Sequence, residues 1–383
     1  MQIRGGDMNK KFVVLLGIVF LSLSLITPVE ACTSFLLKTK DGSTVYGRTL
    51  EWGMFDLKSS LVMVPRNLSN VSDLGGGRKG IAWKNKYGYV AINALDLPLY
   101  MDGMNETGLI VGELYMPGFS EFQSFKAGEE SSTVSDVELS GYILAQFATV
   151  EEVRSALPKL RVISNPQTEK SFGAPVTLHL VVTDNSGSSV VIEYLKGQLH
   201  IYDNTVGVMT NSPSYDWHIL NLRNYARLTP YAPAPGDTEA AGVNFTPFGG
   251  GAGMSGLPGD FTPPSRFVRA FFYVQSSLPL DDVDAAINQA SRIINNFDIP
   301  KGILREGTSD NFQLGYTQWS VIGDIKNKRY YWWTEWNRQM RMVDLSKISF
   351  EGSKPVVIAL DKVRAQNIED RTGDFVSRDG KTN

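Results

Sequence analysis

Short β-prone runs joined by glycine-containing turns recur along this chain, and no regular strand-helix-strand alternation replaces them. Cys32-Thr33-Ser34-Phe35-Leu36-Leu37 runs into Lys40-Asp41-Gly42-Ser43 and returns as Thr44-Val45-Tyr46-Gly47-Arg48, the pattern of a hairpin that Cys32 opens. Residues 61–64, 87–92, 109–114, 176–183 and 189–195 read as further strands, the last two flanking the turn Asp184-Asn185-Ser186-Gly187. Residues 313–322, 328–333 and 339–343 read as a late, aromatic-rich meander. The pattern predicts an α+β protein rather than a parallel doubly wound sheet.

Helical periodicity is confined to three places. Residues 134–153 form one such segment, in which Thr149 and Glu152 are spaced as a capping box; residues 217–225 form another, and residues 265–295 a third, in two pieces broken at Leu278-Pro279. The Pro- and Gly-rich stretch 230–264 has aromatic and apolar residues threaded through it, which predicts an ordered loop within one domain rather than a linker. Gly75-Gly76-Gly77 and Gly249-Gly250-Gly251 lack the Lys-Ser/Thr sequel of a phosphate cradle and read as loops.

The N-terminus reads as an export leader. Lys10 and Lys11 precede an apolar run over residues 12–26, and Pro28-Val29-Glu30-Ala31 offers small residues where a signal peptidase inspects the chain. The run is shorter than the roughly 20 residues a membrane-crossing helix needs, and no later stretch is longer, so no permanent span is expected. Residues 1–31 are therefore expected to be removed, residues 32–361 to form one catalytic domain, and residues 362–383 to be a polar tail. The product would be periplasmic or extracellular.

Cys32 is the one cysteine in 383 residues, so no internal disulfide is possible and a packed core must supply stability. Cleavage before it would make it the first residue, with a thiol and a free α-amine on one side chain and backbone. A thiol attacks carbonyls as its thiolate, and an α-amine titrates near neutral pH, so nucleophile and base would arrive together. The alternative is a lipid-anchored binding protein acylated at Cys32; lipid-attachment motifs favour a small residue where this chain has Glu30.

Other chemistries have little support. His179, His200 and His218 fall in different segments without metal-ligand spacing, and the net charge of −3 gives no reason to expect a nucleic-acid partner. A Cys-His dyad with His218, which follows Asn211-Ser212-Pro213, is the one alternative base; a lone histidine at a helix start is more often structural. Trp52, Phe55, Trp83, Tyr100 and Tyr115 are candidates to wall an apolar acyl pocket.

Several strings together resemble the choloylglycine hydrolase and penicillin V acylase family of N-terminal-nucleophile hydrolases. They are Cys32-Thr33-Ser34-Phe35; Tyr46-Gly47-Arg48-Thr49-Leu50-Glu51-Trp52; Asp102-Gly103-Met104-Asn105-Glu106-Thr107-Gly108-Leu109; Met209-Thr210-Asn211-Ser212-Pro213 with Trp217-His218; Gly256-Leu257-Pro258-Gly259-Asp260; and Ser265-Arg266-Phe267-Val268-Arg269. They occur in the family's order and cover residues 32–342.

The resemblance implies an αββα sandwich of two antiparallel sheets between helices, commonly a homotetramer, that hydrolyses linear amides without metal or organic cofactor. By position it makes Cys32 the nucleophile and its amine the base, sets Arg48 and Arg266 near the thiol, and gives the oxyanion the Asn211 amide and the Tyr115 backbone N–H. Tyr at position 115 resembles the penicillin V acylases more than the bile-salt-cleaving members, which tend to have Asn there. One departure stands out: the family's Asp that accepts a bond from the α-amine is Glu51 here.

Overall fold

The central strands are buried along their whole length. Thr44–Glu51, Leu99–Asn105 and Thr317–Asp324 contain no exposed residue, and a strand without a solvated face requires a layer on each side. The computed structural model, which describes residues 31–172, 176–234 and 239–375, supplies those layers. Except for Ala31, the expected leader lies outside the described residues, as do the tail residues 376–383.

Two antiparallel sheets form the centre. In chain order their strands are β1 (Thr33–Lys38), β2 (Thr44–Glu51), β3 (Ser60–Val64), β4 (Tyr89–Ala94), β5 (Leu99–Asn105), β6 (Ile110–Tyr115), β7 (Leu178–Thr183), β8 (Ser189–Leu195), β9 (Gln198–Asp203), β10 (Val208–Met209), β11 (Thr317–Asp324), β12 (Arg329–Thr334), β13 (Arg341–Asp344) and β14 (Val356–Ala359). A six-stranded sheet runs β10-β1-β2-β11-β12-β13, and an eight-stranded sheet runs β9-β8-β7-β6-β5-β4-β3-β14.

Helices cover the outer faces. In chain order they are α1 (Leu139–Gln146), α2 (Val150–Ala156), α3 (Pro166–Phe172), α4 (Tyr215–Asn221), α5 (Pro263–Gln275) and α6 (Val283–Ile294). The first packs on β5 and β6, α5 on β1 and β10, and α6 on β2 and β11. The result is the αββα sandwich that the resemblance implied.

The expected helix over residues 134–153 is interrupted. Residues Thr133–Ser135 instead form a short strand paired with Arg161–Ile163, and α1 ends at Phe147, which is extended. Thr149 caps a second helix: its Oγ1 accepts the Glu152 N–H at 3.2 Å, while the Glu152 carboxylate takes the Ala148 N–H at 2.7 Å. The cap thus starts α2 rather than lying inside one long helix. The break at Leu278-Pro279 falls between α5 and α6 as expected, and Asp282 caps α6 by accepting from Ala285 N–H at 2.8 Å.

Candidate active site

Cys32 lies at the mouth of β1, between two strands. Ser34 is paired with Arg48 on β2 and with Met209 on β10, so extending the second register by two residues brings Asn211 level with Cys32. Paired residues share a face of the sheet. Arg48 therefore points to the space between the sheets, whereas Thr33, Thr49 and Glu51 face the layer of α5 and α6. Cys32 itself is 3% exposed.

Arg48 crosses from one sheet to the other. Its Nη1 donates to the Met101 carbonyl and to Asp102 Oδ2 (3.1 Å), and its Nη2 donates to the Glu113 carbonyl and lies 3.9 Å from Cys32 Sγ. The guanidinium also sits over the Trp319 ring, 5.2 Å from its centroid. Asp102 is held in turn by Tyr46 Oη (2.8 Å) and Tyr330 Oη (2.6 Å). Burial opposes the charge on Arg48, but Asp102 and Cys32 outweigh it and hold its pKa above the ordinary value. A fixed cation thus stands beside the sulfur.

Arg266 approaches from the opposite face. Set in the first turns of α5, it donates from Nε to Phe261 O (2.8 Å), from Nη1 to the Cys32 carbonyl and Thr33 Oγ1 (2.7 Å), and from Nη2 to Asn211 Oδ1 (2.6 Å). Burial lowers its pKa to about 10, with Glu51 and Cys32 opposing the fall, so it remains charged at neutral pH.

That contact fixes the orientation of the Asn211 amide, because a guanidinium offers only donors. Nδ2 donates one hydrogen to Tyr115 O at 2.7 Å; an amide nitrogen carries a second. Tyr115 ends β6 opposite Leu178, and the bond from Met116 N–H to Thr177 O (2.7 Å) means, by antiparallel alternation, that the Tyr115 N–H is directed away from β7.

Glu51 is placed differently from the other expected site residues. Its Oε1 accepts from Thr317 Oγ1 at 2.9 Å, and Oε2 is buried without a hydrogen-bond partner among the described residues. Burial pushes its pKa up to about 8, against the pull of Arg266. With Ala31 attached, the Cys32 nitrogen is an amide and offers this carboxyl no positive charge.

The six residues expected from sequence therefore meet, five through direct contacts and Glu51 through the field of Arg266. His218 does not join the thiol. Its Nε2 bonds to Asn211 O at 2.9 Å, its ring stacks on Phe267 with centroids 4.6 Å apart, and burial lowers its pKa to about 4. The ring is thus committed through Nε2 to the Asn211 carbonyl, and the side chain found beside Sγ is Arg48.

The aromatic wall is smaller than expected. Trp52 packs edge-on against Phe55 and Tyr115, at 5.6 and 5.9 Å between centroids. Trp83 and Tyr100 instead pair with Tyr142 and Tyr89, under α1 on the far side of the eight-stranded sheet. Gln318 ties the loop of Trp52 and Phe55 to β11, donating to both their carbonyls and accepting from Leu57 N–H. Gly53 is required there, since a Cβ would fall 0.9 Å from Leu314 O. Asp102, Thr317 and Gln318 were not expected to serve the site; their partners lie 54 to 266 residues away along the chain, so no local string reveals the contacts.

Among the described residues no group of three or more His, Cys, Asp or Glu could hold a metal ion, and no helix is long and apolar enough to cross a membrane.

A family model described as linear amide C–N hydrolases, choloylglycine hydrolase family, matches residues 32–358. A bile salt hydrolase/transferase of Clostridium perfringens is 32% identical over 327 residues, covering 84% of this chain and 95% of that protein. The penicillin V acylase of Pectobacterium atrosepticum is 28% identical over 368 residues, covering 91% of this chain and 90% of its own. A crystal structure of a variant conjugated bile acid hydrolase from Clostridium perfringens superposes with a TM-score of 0.76 at 28% identity, covering 89% of this chain and 100% of that one. The chain belongs to the choloylglycine hydrolase family and is a hydrolase acting on linear amides.

Proposed function

We propose that the protein is a cysteine N-terminal-nucleophile amidase that cleaves substrates with an apolar acyl group, conjugated bile salts, penicillin V or a related N-acyl amide among them. One observation carries this reading: the only cysteine stands at the mouth of β1 with its sulfur 3.9 Å from a buried arginine and its carbonyl held by a second. Removal of residues 1–31, by a signal peptidase or autocatalytically, turns the Cys32 nitrogen from an amide into a base.

The free amine takes the thiol proton as sulfur attacks the amide carbon. Asn211 Nδ2–H and the Tyr115 N–H receive the developing oxyanion, a contribution of about 3 to 4 kcal/mol for one such donor. Arg48 favours the thiolate. The ammonium returns its proton to the leaving nitrogen as the C–N bond breaks, leaving a thioester on Cys32. The same amine then deprotonates a water, which attacks the thioester and releases the acid and the free thiol. Glu51 is the carboxylate that steadies the amine.

Trp52, Phe55 and Tyr115 favour an aromatic or otherwise apolar acyl part. Side-by-side turnover of glycocholate, penicillin V and a long-chain acyl amide, with Cys32→Ser as the control, tests this. Cleavage of at least one, abolished by C32S, is expected; turnover surviving C32S would overturn the nucleophile.

Export to the periplasm or the outside is part of the same reading, supported by Lys10 and Lys11 before the apolar run 12–26 and the small residues ahead of Cys32. A homotetramer is supported by the apolar residues that the long loop leaves exposed, Tyr231, Val243, Phe245 and Phe248. Light scattering on the purified enzyme tests it, a monomer being the contrary result.

A further inference from the structure

We infer that His179 and His218 are positioning residues that hold the peptide carrying Asn211, each by donating Nε2–H to one of two successive carbonyls. The inference rests on Asn211 serving as an oxyanion donor. The observation behind it is independent of that role.

Residues 210–212 follow β10 but belong to no strand or helix. A buried carbonyl outside regular structure must find its donor among side chains or water. Thr210 O accepts from His179 Nε2 at 2.9 Å, and Asn211 O accepts from His218 Nε2 at 2.9 Å. Two of the chain's three histidines are thus used on adjacent carbonyls.

Both imidazoles are themselves fixed. A carbonyl only accepts, so each Nε2 carries the hydrogen. His179 Nδ1 faces Glu193 Oε1 at 3.1 Å, and that carboxyl also takes the Tyr215 N–H at 3.0 and 3.2 Å, which ties β7, β8 and the start of α4 into one unit. His218 is clamped by its stack on Phe267, the neighbour of Arg266.

The flanking side chains complete the frame: Thr210 Oγ1 donates to Pro263 O (3.1 Å) and Ser212 Oγ to Pro117 O (2.7 Å). Arg266 and Tyr115 set the plane of the Asn211 amide, whereas the histidines set where its backbone stands. Displacing a catalytic donor by about 1 Å costs on the order of a hundredfold in rate.

The test compares His218→Phe, which keeps a flat ring on Phe267 but loses the donor, with His218→Gln, whose amide can donate from the same side. His179→Leu and His179→Gln form the matching pair. The substrate is whichever of glycocholate or penicillin V the enzyme cleaves. For the Phe and Leu variants kcat should fall about tenfold to a hundredfold with KM within twofold. The Gln variants should recover most of that loss, and the rate of Cys32 alkylation by iodoacetamide should be unchanged throughout.

A kcat within twofold of the parent, or a loss that Gln does not restore, overturns the inference. Should the Phe or Leu chains fail to fold, long-range 1H–15N spectra of the histidine-labelled parent decide, with Nε2–H expected on His218 and Nδ1–H contradicting it. Asn211→Ala, measured alongside, separates the two levels: if it leaves kcat intact, the oxyanion reading fails, and if it lowers kcat while His218→Phe does not, only the histidine frame fails.

Discussion

Arg266 and Asn211 are joined by a bond of 2.6 Å from Nη2 to Oδ1, and the other terminal nitrogen of the same guanidinium binds the Cys32 carbonyl and Thr33 Oγ1. One rigid fork therefore sets the nucleophile's backbone and the oxyanion amide relative to each other. A flexible ammonium cannot span three such acceptors in a plane. Arg266→Lys should lower kcat about a hundredfold while the protein still folds, measured by steady-state hydrolysis and circular dichroism; retention of half the parent rate would contradict the role.

The ion pair between Arg48 and Asp102 is wholly buried at 3.1 Å. Asp102 also accepts from Tyr46 and Tyr330, so Asp102→Asn leaves a buried cation without its counter-charge. Breaking a buried pair from one side costs about 3 to 5 kcal/mol. Urea denaturation should show a loss of that order, and a loss below about 1 kcal/mol would mean that the carbonyls of Met101 and Glu113 suffice to hold the guanidinium.

Glu51 stands where the resemblance implies Asp. Glu51→Asp withdraws the carboxyl by one methylene from Thr317, which donates to Oε1. If the carboxyl's task is to steady the α-amine, kcat should stay level or rise. A collapse of activity in a folded E51D enzyme would contradict that task.

Much of the site was legible because the informative residues sit in short strings: a cysteine behind a basic and then apolar N-terminal run, an arginine in the returning arm of the first hairpin, an Asn-Ser-Pro turn before a helix. The strand pattern likewise gave the α+β class from turns and alternation alone. What escaped is tertiary. Thr317 meets Glu51 across 266 residues, His179 meets Thr210 across 31, and Trp83 parts from Trp52 because its ring packs edge-on against Tyr142 of α1. The helix break at Phe147 was missed because apolar spacing continues through it, although the Thr149 cap that follows was in view.

His218 links stability to pH. Burial lowers its pKa from 6.5 to about 4, so the unfolded chain takes up a proton in that window before the folded one does. Stability should be full above pH 6.5 and fall as pH drops toward 4, by about 3 kcal/mol for this group at 1.36 kcal/mol per unit. Denaturation midpoints of the parent and His218→Gln at pH 7 and pH 4.5 check this: the variant should lose distinctly less on acidification, and equal losses would contradict it.

The account stands on Cys32 being a free N-terminal residue in the working enzyme. Intact-mass and N-terminal peptide spectrometry of purified, amide-hydrolysing protein measures this directly. The predicted result is a chain that begins at Cys32 with an unmodified thiol and a free amine; active material that still carries residues before position 32, or a lipid on its sulfur or amine, would contradict it.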